Sequence, residues 1–507
     1  MVLLVLIAVA CGLVASTYRI IGTTWDEPEH LAAGLQLLDR GVYGYDTQHP
    51  PFARLAIASG PYIAGARSIG RPGPSGEREG RDVLYGSPDP ETTLILARLG
   101  ALPFLAVLIA ATWLWAQRYY GAAEAALAAA FVASAPVVLG HAGVAALDVP
   151  GAACCVLALY AGLVWLESPS YRRGLWAGLA AGLAIGTKLS ALPFLGVSAV
   201  VLVAARSLVT ASSQSEAPAM WHMVASAMLA VGAMIAVLWA LYGGNLEGVW
   251  LSVRELQKHN DAGHLSYLLG EFSRSGWWYF YPIALAVKTT IPLLLFGLVG
   301  LTYLLWLGVC EHDWRRMAPA LCFAAILVFC CVYSRINIGV RHVLILYPLL
   351  AIAAAAVTVA LWRTLSTPPA RGLIFSALLW LFASPTFAYP DYLAYFNAFA
   401  GDHPERILVD SDLDWGQDIE RLEQALRERK IKSINLAYRG GADPNRERLP
   451  PVRLLAPGVR AQGWVAVSLL AKVLGSKGYA WLDAYRPVAR VGKSIDLYYI
   501  PPPLGSD

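Results

Sequence analysis

Apolar residues run in long blocks over the first three quarters of the chain. A membrane-spanning helix needs roughly 20 apolar residues, and such runs are predicted at 2–21, 92–116, 122–140, 149–166, 174–190, 191–209, 221–242, 282–309, 317–333, 342–362 and 372–388. These make eleven spans, with the pair between Gly174 and Thr210 meeting in a tight turn near Pro193. Beyond Tyr389 the pattern shortens. Residues 407–410, 431–437, 464–468 and 494–500 read as strands, the last alternating like an edge strand, and residues 418–430 read as a helix. The predicted fold class is an α-helical multi-pass membrane protein over 1–388, followed by a small soluble α/β domain over 389–507.

Composition sharpens this division. Of 507 residues, 57% are hydrophobic and 15% charged, against about 25% charged in a soluble domain. Residues 389–507 are 26% charged and the preceding body only 11%. A soluble enzyme and a disordered chain are both excluded for the body, and a net charge of +4 is too small to argue for nucleic acid. The seven cysteines lie in or beside apolar runs, with no metal or disulfide spacing, and read as small buried hydrophobes.

Short-loop arginines set the expected orientation. With a cytoplasmic N-terminus, the loops holding Arg118, Arg172 and Arg173, Arg206, Arg315 and Arg316, and Arg363 and Arg371 all face the cytoplasm. The first apolar run lacks a basic leader and reads as a retained anchor in the cytoplasmic (inner) membrane. The opposite face then collects the loop at 22–91, the turn at Asp148, the helix end bearing Lys188, the loop at 243–281, the turn at 334–342 and the charged C-terminal domain. Such a gathering of polar features points to one outward-facing reaction chamber.

The first loop opens with Thr23-Thr24-Trp25-Asp26-Glu27-Pro28-Glu29-His30. Thr24 and Glu27 have capping-box spacing, and acids suit a helix N-terminus in any case. Leu31, Leu35 and Leu38 form a stripe expected of a helix lying in the membrane interface. Equally, Asp26 at the membrane surface can act on a hydroxyl nucleophile whose electrophile is carried by a lipid. A second polar cluster follows at Tyr45-Asp46-Thr47-Gln48-His49-Pro50-Pro51.

These motifs resemble the polyprenyl-phosphate-sugar-dependent glycosyltransferases of GT-C fold, the superfamily of protein O-mannosyltransferases and the lipid A aminoarabinose transferase. Three later segments resemble its bacterial branch: Gly276 to Pro282 with Lys288, Ile338 to His342 with Tyr347-Pro348, and Asp410-Ser411-Asp412-Leu413-Asp414-Trp415-Gly416-Gln417-Asp418. The resemblance implies a lipid-phosphate sugar as donor, a first-loop carboxylate as base and inversion at the anomeric carbon. Asp26 is then the base, Glu27 its neighbour and Asp148 the second acidic position. Protein, a glycolipid and a growing polysaccharide are all compatible with an outward chamber as acceptors, and a divalent metal stays open. A transporter for lipid-linked sugars is the alternative, although the sequence shows no internal repeat.

The remaining candidates stand on their chemistry. Asp148 either starts the next helix or serves function, since ionisable groups at membrane depth are costly. Lys188 is the single base in a thirty-residue apolar stretch; it either snorkels or faces a leaving phosphate, and Lys288 invites the same argument. Arg335, Arg341 and His342 depart from the scarcity of arginine in outward turns and suit phosphate. The aromatic run Trp277–Tyr281 fits an interfacial belt. His49, Asp412, Asp414 and Trp415 are candidate substrate contacts, with the two acids read as acceptor contacts and not as a metal pair.

Overall fold

The structure, a computed structural model, describes residues 1–210 and 220–502. Every apolar run forms a helix, but not every helix has spanning length. Among the described residues, eight helices are long and apolar enough to cross a membrane: Pro90–Tyr119, Asp148–Glu167, Ala191–Val209, Trp221–Leu241, Ile291–Cys310, Trp314–Tyr333, Leu346–Thr364 and Pro368–Ala388. Ala122–Ala133 and Pro136–Ala142, bent by 60° at the break between them, make a ninth if the pair is counted as one span. The expected first and fifth spans are helices of 14 and 17 residues, Val2–Ala15 and Tyr171–Thr187. The expected run 282–309 breaks at Thr289 and Thr290, because Pro292 opens a new helix and cannot extend the old one.

The turn expected near Pro193 lies earlier, at Lys188 to Ser190; Pro193 sits in the first turn of its helix, where a missing N–H costs nothing. Small residues let the Tyr171–Thr187 helix approach the Met220–Leu241 helix closely. A Cβ on Gly178 would fall 2.0 Å from the Ala230 carbonyl oxygen, so backbone meets backbone there.

Loop arginines gather at one end of the bundle. Glu167 accepts from Arg118 at 2.6 Å and from Arg315 at 3.0 Å, and Arg363 pairs with Glu124 at 3.0 Å.

The first loop folds into three helices, Glu27–Arg40, Pro51–Ile63 and Glu77–Gly86. The apolar stripe of the Glu27–Arg40 helix faces protein along most of its length, with Leu38 left exposed. Leu31 and Leu35 are 2% and 0% exposed, because the other two loop helices cover that face.

The C-terminal domain is built on a five-stranded sheet. A two-stranded hairpin, β1 (Ser266–Leu268) and β2 (Glu271–Ser273), precedes it in the chain. The sheet comprises β3 (Ile434–Ala437), β4 (Val452–Leu454), β5 (Gly463–Ser468), β6 (Ala489–Val491) and β7 (Ile495–Ile500). Its order is β4-β3-β5-β7-β6, with β3 parallel to β4 and β5, and β7 antiparallel to its neighbours. β7 is therefore internal and not an edge strand; it is buried at five of six positions. Residues 407–409 form no strand, and Asp410–Leu413 is one helical turn. The expected helix at 418–430 is Ile419–Glu428.

This domain docks on the first loop through backbone. Gly22 N–H donates to the Gln417 carbonyl at 2.8 Å, and Trp25 N–H to the Trp415 carbonyl at 3.0 Å.

Candidate functional site

A cavity of about 340 Å³ lies where the first loop, the bundle and the C-terminal domain meet. Asp26, His49, Asp148, Lys188, Arg341, His342 and Trp415 all line it. They come from six separate places in the chain.

Asp26 is held by what lies behind it. Glu27 is 1% exposed, and the Arg98 guanidinium grips both its oxygens at 2.8 and 2.9 Å. Glu27 also accepts the N–H groups of Thr24 and Ala145, each at 2.8 Å. Burial opposes its charge, but Arg98 and these donors outweigh it and hold the carboxyl below the usual range. Thr24 and Glu27 thus supply one half of the expected capping box. Glu27 does not line the cavity; it ties the turn carrying Asp26 to the bundle.

Asp148 begins the Asp148–Glu167 helix and is 3% exposed. Lys188 Nζ donates to its Oδ1 at 2.6 Å, and Arg341 Nη1 stands 3.6 Å from its Oδ2. The lysine stem reaches it along Gly151, where any Cβ would meet the stem at 3.0 Å. Arg341 Nη1 donates to Asp26 Oδ2 at 2.6 Å, and its guanidinium lies 4.4 Å from the centre of the Trp415 ring. Two carboxylates and two cations therefore alternate along one wall.

Several polar atoms at this wall remain open. Arg341 Nε, His342 Nε2 and Asp148 Oδ2 are buried without a hydrogen-bond partner, a costly arrangement unless another group completes it. Burial, reinforced by Lys188 and Arg341, holds His342 well below its ordinary value, so it is a neutral imidazole. His49 is likewise lowered to about 4 by burial.

A second cavity of about 390 Å³ adjoins the first and shares His49, Lys188 and His342 with it. Its remaining walls are largely apolar, including Leu189, Pro193, Phe194, Val253 and Phe329. The joined space is amphipathic, with the Lys188 ammonium at the junction.

Other residues singled out from the sequence are placed elsewhere. Arg335 is exposed and lines neither cavity. Lys288, 1% exposed, donates to the carbonyls of Leu393 at 2.9 Å and Asp412 at 2.5 Å. Asp412 accepts the Val340 N–H at 3.1 Å, which fixes the turn that presents Arg341. Asp414 accepts the N–H groups of Leu470 at 2.6 Å and Gly416 at 3.2 Å. These three serve backbone and do not reach the cavity.

Residues the sequence reading did not assign also line the chamber. Glu29 is raised to about 7 by burial and then by Asp46. Asp410 is raised to about 6 by burial, and its φ of 35° is strained for a residue with a Cβ. His30, Asp46, His259, His264 and Arg439 complete the polar lining. Fully buried Arg54 stands behind Asp46 and pairs with it. Glu29, His30 and Asp46 lay within motifs already marked; His264 and Arg439 carried no local signal. Among the described residues, no group of three His, Cys, Asp or Glu side chains is arranged to hold a metal ion.

Residues 93–239, which include Asp148 and Lys188, match the family model described as dolichyl-phosphate-mannose-protein mannosyltransferase. No curated protein is significantly similar in sequence. ArnT from Cupriavidus metallidurans, solved bound to undecaprenyl phosphate, is similar with a TM-score of 0.50 and 15% identity over 97% of each chain. The Archaeoglobus fulgidus oligosaccharyltransferase gives 0.47 at 14% identity over 77% of this chain and 55% of its own. The S. cerevisiae Pmt1-Pmt2 protein O-mannosyltransferase complex gives 0.36 at 18% identity over 50% and 34%. The resemblance read in the sequence therefore holds: the chain has the GT-C fold of the polyprenyl-phosphate-sugar glycosyltransferases along nearly its whole length, and the protein mannosyltransferase family model matches its residues 93–239.

Proposed function

We propose that the protein transfers a sugar from a polyprenyl-phosphate donor to an acceptor hydroxyl on the outer face of the cytoplasmic membrane. The observation that carries this is the joined cavity: a polar chamber with Lys188, Arg341 and His342 opens into an apolar one, the shape of a lipid phosphate. The undecaprenyl phosphate bound to the similar ArnT has that chemistry.

In this reading the acceptor oxygen attacks the anomeric carbon. The bond from that carbon to the phosphate oxygen breaks, the lipid phosphate leaves with the electron pair, and Asp26 takes the hydroxyl proton. A single displacement inverts the centre. Lys188 and Arg341 stabilise the developing phosphate charge, and neutral His342 offers a hydrogen bond. Arg341 links the two events. As negative charge grows on the phosphate it competes with Asp26 for the guanidinium, and a carboxylate losing its ion pair becomes a stronger base. The two cations supply the positive charge the leaving group needs, so no step is assigned to a metal. The arginine-rich end of the bundle faces the cytoplasm, and the N-terminus with it.

The test is incubation of purified protein with undecaprenyl-phosphate sugars and envelope acceptors, following release of undecaprenyl phosphate. Movement of intact donor across proteoliposomes without cleavage would overturn the reading in favour of a transporter.

A further inference from the structure

The cations of the chamber are nearly all matched. Lys188 has Asp148, Arg341 has Asp26, and Arg54 behind the wall has Asp46. Arg439 is an exposed residue that lines the same chamber; its guanidinium makes no ion pair or hydrogen bond among the described residues, and its backbone N–H donates to Ser468 Oγ at 3.3 Å. It does not line the adjoining apolar cavity, so it stands apart from the place where a lipid phosphate would lie.

The position of Arg439 is built with care for backbone contact. It follows β3, in a segment whose glycines abut two other loops. A Cβ on Gly416 would fall 2.4 Å from the Gly440 Cα, and one on Gly441 would fall 2.0 Å from the Thr24 carbonyl oxygen. Tyr438 donates to the Gly416 carbonyl at 2.8 Å, and Arg81 donates to the carbonyls of Gly440 and Gly441 at 3.0 and 2.8 Å. These contacts bring the arginine beside the turn that carries Asp26, two residues after Thr24. Among the described residues neither Glu29, which accepts the Gly76 N–H at 3.0 Å, nor Asp410, which accepts the Ser411 N–H at 2.6 Å, pairs with Arg439. A guanidinium offers a fixed fork of donors matched to phosphate and carboxylate.

We propose that Arg439 binds an anionic group, phosphate or carboxylate, carried by the acceptor beside the hydroxyl that Asp26 deprotonates, so that this protein selects anionic acceptors. The inference rests on the transfer reading above and specifies its second substrate. It also gives the C-terminal domain a role, since that domain brings the arginine to the chamber.

The experiment uses the purified full-length chain in detergent. Binding of undecaprenyl phosphate is measured first, and the lipid-saturated protein is then titrated with inorganic phosphate and, in a second arm, with glucuronate. One further anion should bind per chain, with the tighter of the two naming the group. Arg439→Gln should weaken it roughly tenfold and Arg439→Lys should recover part of the loss, with lipid binding unchanged in both. The proposal is overturned if the lipid-loaded protein takes up neither anion, or takes one up equally well with Arg439→Gln. Failure of undecaprenyl phosphate itself to bind would instead overturn the donor reading, a separate measurement in the same series.

Discussion

Arg341 Nη1 lies 2.6 Å from Asp26 and 3.6 Å from Asp148, so one guanidinium bridges a carboxylate of the first loop and one of the bundle. In the proposed transfer this bridge connects Asp26, as the base, to the cation that meets the leaving phosphate. Asp26→Asn keeps the side-chain volume and removes the proton acceptor. Transfer should fall by about 100- to 10,000-fold while undecaprenyl phosphate still binds and the protein elutes as a single folded species. Activity close to the parent's would remove Asp26 from the role of base.

Lys188 and Asp148 separate binding from stability. Lys188→Met leaves Asp148 buried with only the more distant Arg341, and breaking such a pair costs about 3–5 kcal/mol. Adding Asp148→Asn removes the stranded charge, so the double variant should regain much of the melting temperature. It should not regain affinity for undecaprenyl phosphate, because the cation at the junction of the two cavities is still gone. Recovery of both together would show that Lys188 acts only as a structural counter-ion.

Glu27 and Arg98 are 1% and 0% exposed and make no contact with the chamber. Arg98→Met should therefore lower thermal stability by an amount near that of the Lys188 variant, about 3–5 kcal/mol. Any surviving folded protein should bind lipid phosphate normally. A melting temperature equal to the parent's would contradict the assignment of Glu27 as the anchor of the Asp26 turn.

Asp414 gives a pH test with a definite sign. Burial raises its carboxyl to about 7, against the pull of the Leu470 and Gly416 N–H groups. From about pH 4 to about pH 7 the folded chain then holds a proton that the unfolded chain, titrating near 3.9, has released. Stability from this group is greatest at acid pH and falls as pH rises through that window, by at most about 1.4 kcal/mol per pH unit. Asp414→Asn should flatten the dependence of melting temperature on pH between 4.5 and 7. Parallel curves for parent and variant would show that Asp414 ionises normally in the fold.

The sequence carried the chamber further than the sheet. Asp148 and Lys188 stood out because a charge is rare at membrane depth, Arg341 because arginine is scarce in outward turns, and Asp26 through the motif that opens the first loop. Asp412 and Asp414 stood out in a segment where charge is common, and their roles in capping backbone could not be read from spacing. Arg439 was hidden among many surface arginines of the C-terminal domain. What distinguishes it is proximity to a turn more than 400 residues away in sequence, fixed by glycine contacts that leave no periodic signal. The apolar stripe of the Glu27–Arg40 helix was legible as a buried face, but whether lipid or neighbouring helices covered it depended on loop packing that a period of 3.6 does not encode.

The dependence of Arg341 on Trp415 has a consequence for how the protein is made. All membrane helices are synthesised before residue 389, and so are Asp26, Asp148, Lys188 and Arg341. The indole beneath that guanidinium, and the two backbone contacts that close the domain onto Gly22 and Trp25, come only afterwards. A nascent chain that has already inserted its bundle thus has an open chamber. The wall closes only when the last quarter of the chain has emerged and returned to meet the first loop.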